Sequence, residues 1–159
     1  MVNRPVAVIV SGYFSPLHIG HLDMIEAGAA LGDKLIVIVN NNDQQVAKKG
    51  KLIIDEQDRL RVVRALRAVD EAAVAIDDDR TVRQSIRRIA EDHPNHDVIF
   101  ANGGDRSSGE VVPEAETCEA YGIEMIFDLG GDQKADSSSR INKELGIETE
   151  ASALPSATS

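Results

Sequence analysis

Two short apolar runs, Val6–Val10 (VAVIV) and Leu35–Val39 (LIVIV), decide the fold of this chain. Both runs are continuous and rich in β-branched residues, which is typical of strands covered on both faces in a parallel sheet. Between them, residues 20–31 carry apolar side chains at close to helical spacing, and Gly32 follows as a stop signal. The pattern predicts a strand, a helix and a second strand parallel to the first.

The same alternation continues along the rest of the chain and predicts a doubly wound, Rossmann-like α/β parallel sheet. We expect one domain over residues 1–146 and a frayed tail over 147–159. Ligands of such sheets bind beyond the carboxyl ends of the strands, where 103–109 and 130–139 are predicted to lie. The further predicted elements are helices over 55–69, 81–90 and 114–121, and strands over 72–76, 98–101 and 124–129.

Composition limits the classes of function. The chain has 159 residues and a net charge of −10, from 17 Lys and Arg against 27 Asp and Glu. It also has no Trp, two Tyr and three Phe. A general nucleic-acid binder needs a basic field for phosphates and aromatic rings for stacking, so this class is disfavoured. The hydrophobic share of 42% is that of a folded globular protein.

The single cysteine, Cys118, cannot form an internal disulfide or a cysteine-based zinc site. It is expected to be a small buried residue of a helix. The apolar run after Pro5 is too short for a signal peptide, and no later stretch reaches the length of a membrane span. These features favour a cytoplasmic protein without membrane contact.

Residues 11–21, Ser-Gly-Tyr-Phe-Ser-Pro-Leu-His-Ile-Gly-His, join the first strand to the first helix. His18 and His21 are three residues apart, so on the first turn of a helix their rings share a face near free backbone N–H groups. Gly12 and Gly20 would let a phosphate chain come close to the backbone, and Pro16 would stiffen the turn. The segment predicts a triphosphate cradle; the alternative is a plain strand-to-helix turn.

The run 12–21 resembles the HxGH signature of the nucleotidyltransferase superfamily that includes glycerol-phosphate cytidylyltransferase, heptose-phosphate adenylyltransferase and archaeal FAD synthetase. The resemblance extends over residues 6–141. Four further segments recur in the family's order: Lys48-Lys49-Gly50-Lys51 resembles its lysine-rich loop, Glu56-Gln57-Asp58-Arg59 its acidic-x-x-Arg helix start, Asn102-Gly103-Gly104-Asp105-Arg106 its GGD-type turn, and Ser137-Ser138-Ser139-Arg140-Ile141 its serine-threonine motif.

The resemblance implies transfer of a nucleoside monophosphate from a nucleoside triphosphate, accompanied by Mg²⁺, to the phosphate or phosphonate of a small acceptor. Pyrophosphate would be released. By the same resemblance, His18 and His21 act on the α and β phosphates, Lys48 or Lys49 on the α-phosphate and the acceptor, and Ser138 and Ser139 on the β and γ phosphates. The other implied nucleotide-binding residues are Gly12, Tyr13, Phe14, Gly20, Asn102, Gly103, Gly104, Asp105 and Ser137. The implied acceptor-binding residues are Ser15, Lys51, Arg59, Arg106 and Arg140. No residue is assigned as a metal ligand, and small relatives suggest a homodimer.

Several of these residues also have a plain structural interpretation. Arg59 is one of four arginines predicted on the surface of its helix, and the lysines at 48–51 form a charged segment that is ordinarily exposed. Gly103 and Gly104 could make only a turn, and Ser137–Ser139 could only cap a helix.

One departure from the family pattern concerns the acceptor. Ser15 stands where many relatives have aspartate, which predicts a small, strongly anionic acceptor because no carboxylate repels it. For the base, likeness to small stand-alone cytidylyltransferases favours CTP. The alternatives are an adenylyltransferase acting on a sugar phosphate or FMN, and a nucleotide-binding regulatory domain without turnover. A dinucleotide-binding domain is disfavoured because no G-x-G-x-x-G follows the first strand.

Overall fold

A computed structural model of the chain describes residues 4–102, 112–127, 129 and 144–146. The strands are β1 (Val6–Gly12), β2 (Lys34–Val39), β3 (Glu71–Val74), β4 (Asp97–Ala101) and β5 (Glu124–Ile126). The helices are α1 (Ile19–Ala29), α2 (Asn42–Lys49), α3 (Glu56–Arg64), α4 (Arg83–Asp92) and α5 (Ala115–Ala120).

The five strands form one sheet in the order β3-β2-β1-β4-β5, and every neighbouring pair is parallel. This confirms the predicted doubly wound sheet. The strand order reverses at β1, so the crevice of the fold opens beyond the carboxyl ends of β1 and β4. The segments that follow Gly12, Val39 and Ala101 therefore meet at one edge of the sheet.

Apolar side chains cover the sheet on both faces, as the continuous runs predict. On one face, Val8 and Val10 of β1 belong to a buried cluster with Ile25 of α1 and Val63 of α3. On the other face, Ile9 belongs to a second cluster with residues of α4 and α5, among them Ile86 and Cys118. Burial also raises the pKa of the Cys118 thiol to about 11, so it is a protonated core residue, as expected.

Helix α2 was not predicted, because the lysines at its end resemble a loop motif. Asn41 caps its start, accepting from the Gln44 backbone N–H at 2.9 Å. Gly50 ends it in the left-handed conformation, with φ 84°. Lys48 and Lys49 thus form the last turn of a helix. Of the predicted lysine-rich loop, only Gly50 and Lys51 lie beyond the helix.

Several other predicted elements have different ends, among them strand β3, which spans Glu71–Val74 instead of 72–76. The helix predicted to Val69 ends at Arg64, since the Ala65 N–H bonds back to Val62 and Val63 and the chain turns. The helix predicted over 81–90 spans Arg83–Asp92, because Asp77 accepts from the backbone N–H groups of Gln84 and Ser85 at its first turn. Strand β5 ends at Ile126 instead of Leu129.

No helix within the described parts of the chain is long and apolar enough to cross a membrane.

Candidate active site

The two histidines of the first turn form a stacked pair at the start of α1. Their ring centroids lie 3.9 Å apart with an interplanar angle of 29°. His18 is the N-cap residue and His21 occupies the third helical position, so the predicted spacing on one face is confirmed. The edge of His21 also packs against the Phe14 ring, with centroids 4.9 Å apart. The pair is therefore held from two sides.

Hydrogen bonds to the backbone orient both rings. His18 Nδ1 accepts from the Gly20 N–H at 3.0 Å, and His21 Nδ1 accepts from the His18 N–H at 3.3 Å. A nitrogen that accepts carries no proton, so each neutral ring holds its proton on Nε2. Both Nε2–H groups are donors at the positive end of the α1 helix dipole, an arrangement that suits a phosphate.

Burial keeps His21 neutral. Desolvation, followed by the charges of His18, Lys49 and Lys48, lowers the pKa of His21 from 6.5 to about 3. The ring therefore offers an N–H donor and no charge at neutral pH. The positive charge of this site comes from the neighbouring lysines.

The turn before the histidines is built on Phe14. Phe14 has a positive φ of 53° and is only 2% exposed, which leaves its ring in the core. A Cβ at Gly12 would lie 2.8 Å from Phe14 Cζ. Gly12 thus makes room for this ring, so Gly12 and Phe14 shape the turn, and their nucleotide-binding roles stay predictions.

Helix α2 brings its last two lysines to the same edge of the sheet. Lys49 is 6% exposed, which corrects the expectation of an exposed loop, and its charge acts on His21. Lys48 is exposed, and its Nζ lies 4.5 Å from the centroid of the Tyr13 ring, a cation–π distance. Lys51, after the helix, is exposed.

Arg59 is neither a solvated arginine nor an exposed acceptor ligand, because it is 2% exposed. Its guanidinium donates to three backbone carbonyls, Tyr13 O at 3.1 Å, Ile54 O at 2.8 Å and Asn40 O. It also donates to Asn42 Oδ1 at 3.2 Å. Arg59 therefore ties the turn after β1, the end of β2 and the start of α3 into one unit beneath the histidines and lysines.

The structure also changes the interpretation of Ser15. It is 0% exposed, and its hydroxyl donates to Gln45 Oε1 at 2.6 Å. The Gln45 amide in turn donates to Ile54 O at 3.0 Å. A hydroxyl held in this way faces the interior of the protein. In this structure Ser15 therefore does not support the prediction of a strongly anionic acceptor.

Sequence reasoning missed the amides that hold α2 in place. Gln44 is 2% exposed, and its Nε2 donates to Asp79 O and Thr81 O at 2.7 and 2.8 Å. Asn41 Nδ2 donates to Ala75 O and Asp77 O at 3.0 and 2.9 Å. The only signal in the sequence is the Asn-x-x-Gln capping pattern at 41–44.

Asn102 follows β4 at the same edge, where its backbone N–H donates to Ile126 O and its carbonyl accepts from the Leu129 N–H, both at 3.0 Å. Gly20 lies in the first turn of α1, where its N–H is occupied by His18. The remaining predicted site residues fall outside the described parts of the chain: Gly103, Gly104, Asp105, Arg106, Ser137, Ser138, Ser139 and Arg140.

A family model described as cytidylyltransferase-like matches residues 9–148. The chain belongs to this family of nucleotidyltransferases. The matched range contains the histidine pair and both lysines, so the described site lies within the family domain.

Curated relatives of the chain have names that refer to different activities. The chain is 43% identical over 111 residues to an FAD synthase of Archaeoglobus profundus, covering 70% of this chain and 66% of that protein. It is 35% identical over 122 residues to the bifunctional protein HldE of Koribacter versatilis, covering 76% of this chain and 23% of that protein. A 71-residue match at 36% identity covers 45% of this chain and 20% of an ethanolamine-phosphate cytidylyltransferase of Dictyostelium discoideum. The chain thus spans between about a fifth and two thirds of these relatives.

Among solved structures, the fold of this cytidylyltransferase-like chain resembles the lipopolysaccharide core biosynthesis protein of Thermoplasma volcanium. The TM-score is 0.61 at 25% identity, over 83% of this chain and 99% of that one. This likeness agrees with the Rossmann-like sheet described above.

Proposed function

We propose that the chain transfers a nucleoside monophosphate from a nucleoside triphosphate to the phosphate or phosphonate group of a small anionic acceptor, releasing pyrophosphate. The observation that carries this proposal is the stacked pair His18 and His21, whose Nδ1 atoms accept from the backbone and which lies beside the cationic end of α2. Membership of the cytidylyltransferase-like family supports the same reaction class.

In this reaction an acceptor oxygen attacks the α-phosphorus, and the bond from that phosphorus to the oxygen bridging to the β-phosphorus breaks. The acceptor oxygen is already anionic, so no strong base is needed. What the protein must do is bring two anions together and stabilise the charge that develops on the α-phosphate and pyrophosphate. We assign His18 and His21 to the α and β phosphates, and Lys48 and Lys49 to the α-phosphate and the approaching acceptor.

The anionic character of the acceptor now depends on charge at the site and no longer on Ser15. Lys48 and Lys51 are exposed near an edge that also contains the buried cations Lys49 and Arg59. In a chain of net charge −10, this concentration of cations favours a compact phosphate or phosphonate over a cationic acceptor.

For the donor base we retain CTP as the first candidate, from the resemblance to small cytidylyltransferases. ATP is the second candidate, because a relative named for making flavin adenine dinucleotide is 43% identical over 70% of the chain. The two candidates share every residue role given above and differ only in the base.

Magnesium is expected to arrive on the phosphate oxygens of the triphosphate. The described residues contain no group of three His, Cys, Asp or Glu that could hold a metal ion. The side chains at the start of α1 and the end of α2 donate N–H groups, whereas Mg²⁺ prefers oxygen ligands. These residues therefore fit phosphate and not the ion, and we derive no step through it. We further expect a homodimer, which sedimentation velocity would detect.

A pyrophosphate-release assay tests the proposal. Each of CTP, ATP, GTP and UTP would be supplied with Mg²⁺ and a panel of phosphorylated and phosphonate acids. We expect acceptor-dependent release with CTP or ATP. Binding of triphosphate without release for any acceptor would instead support a regulatory nucleotide-binding domain, and no binding of any triphosphate would overturn the assignment.

A further inference from the structure

Tyr13 interacts with three cations of the site. Lys48 Nζ lies 4.5 Å from the centroid of its ring, Arg59 Nη1 donates to its carbonyl at 3.1 Å, and the charge of Arg80 acts on its hydroxyl. Of the three cations, Arg59 is buried, whereas Lys48 and Arg80 are exposed. Arg80 lies outside the motifs of the family resemblance. In the sequence it directly follows three aspartates, Asp77–Asp79.

The segment that carries Arg80 is held firmly by α2. The buried Gln44 amide donates to Asp79 O and Thr81 O, the carbonyls on either side of Arg80. Gln44 Oε1 accepts from Asn40 Nδ2 and the Asn41 N–H, both at 2.9 Å, so the amide is fixed at both ends. The backbone at Arg80 is therefore clamped to the helix that carries Lys48 and Lys49.

Two of the three carboxylates that precede Arg80, those of Asp77 and Asp79, are already engaged. Asp79 accepts from the Thr81 N–H at 2.9 Å and the Thr81 hydroxyl at 2.6 Å, and its other oxygen accepts from Arg83 Nη2 at 2.9 Å. Asp77 is 5% exposed and accepts from the backbone of α4. Within the described ranges no carboxylate forms an ion pair with Arg80.

The strand order places Arg80 on one particular side of the histidine pair. Arg80 follows β3, which is separated from β1 by β2, whereas β4 borders β1 on the opposite side. The crevice beyond β1 and β4 is where such sheets hold a nucleotide. An anion at Arg80 would therefore lie across the histidines from the nucleoside, on the side from which an acceptor can approach the α-phosphate.

We infer that Arg80, presented by Gln44, binds an oxyanion of the acceptor and determines acceptor specificity, together with Lys48. The acceptor class is a small molecule with a phosphate or phosphonate and a second acidic group, since two exposed cations face it. This inference rests on the proposed function. Arginine suits the role because its planar guanidinium can donate two parallel N–H groups to one phosphate or carboxylate.

The test measures binding of phosphonoacetate, which carries a phosphonate and a carboxylate, by calorimetry in the presence of α,β-methylene CTP or α,β-methylene ATP. Arg80→Ala should weaken this binding roughly ten- to hundredfold, the usual effect of losing a charged hydrogen bond, and Arg80→Lys should fall in between. Arg87→Ala is the matched control, because Arg87 is an exposed arginine of α4, and it should leave the affinity within about twofold.

Affinity for the methylene nucleotide separates this inference from the proposed function. It should be unchanged in Arg80→Ala, and the KM of any acceptor found in the pyrophosphate assay should rise more than kcat falls. Three results would overturn the role of Arg80: equal phosphonoacetate affinity in wild type and Arg80→Ala, weaker nucleotide binding in the variant, or no phosphonoacetate binding to a wild-type protein that binds nucleotide. If wild type binds no nucleotide, the proposed function itself fails.

Discussion

The two edges of the sheet differ in the partners of their positively charged side chains. At the amino edge, where β2 and β4 begin, Arg4 pairs with Asp97 at 3.0 Å and Lys34 pairs with Glu71. At the carboxyl edge, Arg59 is buried, and its hydrogen bonds go to carbonyl oxygens. None of the carboxylates in the described ranges forms an ion pair with Arg59 or Arg80.

This difference indicates where a substrate anion belongs. The chain has 27 acidic residues against 17 Lys and Arg, yet within the described ranges Arg59 and Arg80 form no ion pair with a carboxylate. Burying a charge without an opposite charge is costly, so a fold that does so must stabilise it through dipoles of the backbone. A phosphate arriving at this edge would meet the charge of Arg80, which forms no ion pair with a carboxylate of the described ranges.

Replacement of Arg59 should produce the largest effect on stability. Arg59→Met leaves carbonyl oxygens of Tyr13, Asn40 and Ile54 without their donor, and we expect the free energy of unfolding to fall by about 3 kcal/mol or more. Urea unfolding at pH 7 measures this loss. The control is Arg61→Ala on the same helix, an exposed residue whose removal should change stability by about 0.5 kcal/mol at most. Equal effects of the two variants would contradict the role given to Arg59.

The histidine pair should have the largest effect on turnover. His18→Asn retains a side chain that caps helices well but removes the Nε2–H donor. Loss of one donor to the transition state costs about 3 kcal/mol, or roughly a hundredfold in kcat. Pyrophosphate release measures kcat, and circular dichroism should show the helix content of wild type. Normal turnover in His18→Asn would limit His18 to capping.

His21 should make the stability of the protein depend on pH. Its pKa is about 3 in the folded chain and near 6.5 in the unfolded chain, so between these values the unfolded chain binds the extra proton. Stability due to the neutral ring is therefore lost as pH falls from about 6.5. His21→Gln retains a side chain that can complete the capping box but does not titrate. Urea unfolding at pH 7 and pH 4.5 should show a steeper loss in wild type than in His21→Gln. Parallel losses would show that His21 is not kept neutral by folding.

The sequence predicts well those features that depend on local pattern. The apolar runs of β1 and β2 require cover on both faces wherever they lie, and the His-x-x-His spacing fixes a shared face on any helix. The burial of Ser15 and Arg59 cannot be predicted from sequence, because it depends on partners that are distant along the chain. Arg59, for example, bonds to Tyr13, 46 residues away. For Lys48 and Lys49 the family resemblance predicts a loop, whereas the cap at Asn41 and the stop at Gly50 are local signals of a helix.

Arg80 could not be found from sequence for a related reason. A run of three aspartates followed by arginine indicates a solvated loop, and only the three-dimensional contacts show which charges are already used. Asp79 is occupied by Thr81 and Arg83, and the clamp comes from Gln44 in another helix. The surroundings of Arg80 therefore depend on tertiary contacts that the local sequence does not indicate.

The four histidines of the chain allow the two edges to be compared in one measurement, since His18 and His21 lie at the carboxyl edge and His93 and His96 near the amino edge. Long-range ¹H–¹⁵N spectra of the imidazoles, recorded during titration with CTP and separately with ATP, report each ring. Before nucleotide is added, His18 and His21 should show the tautomer protonated on Nε2. On addition, the signals of His18 and His21 should shift strongly while those of His93 and His96 stay in place. Shifts confined to His93 and His96, or the opposite tautomer at His18 and His21, would contradict a triphosphate site at the carboxyl edge.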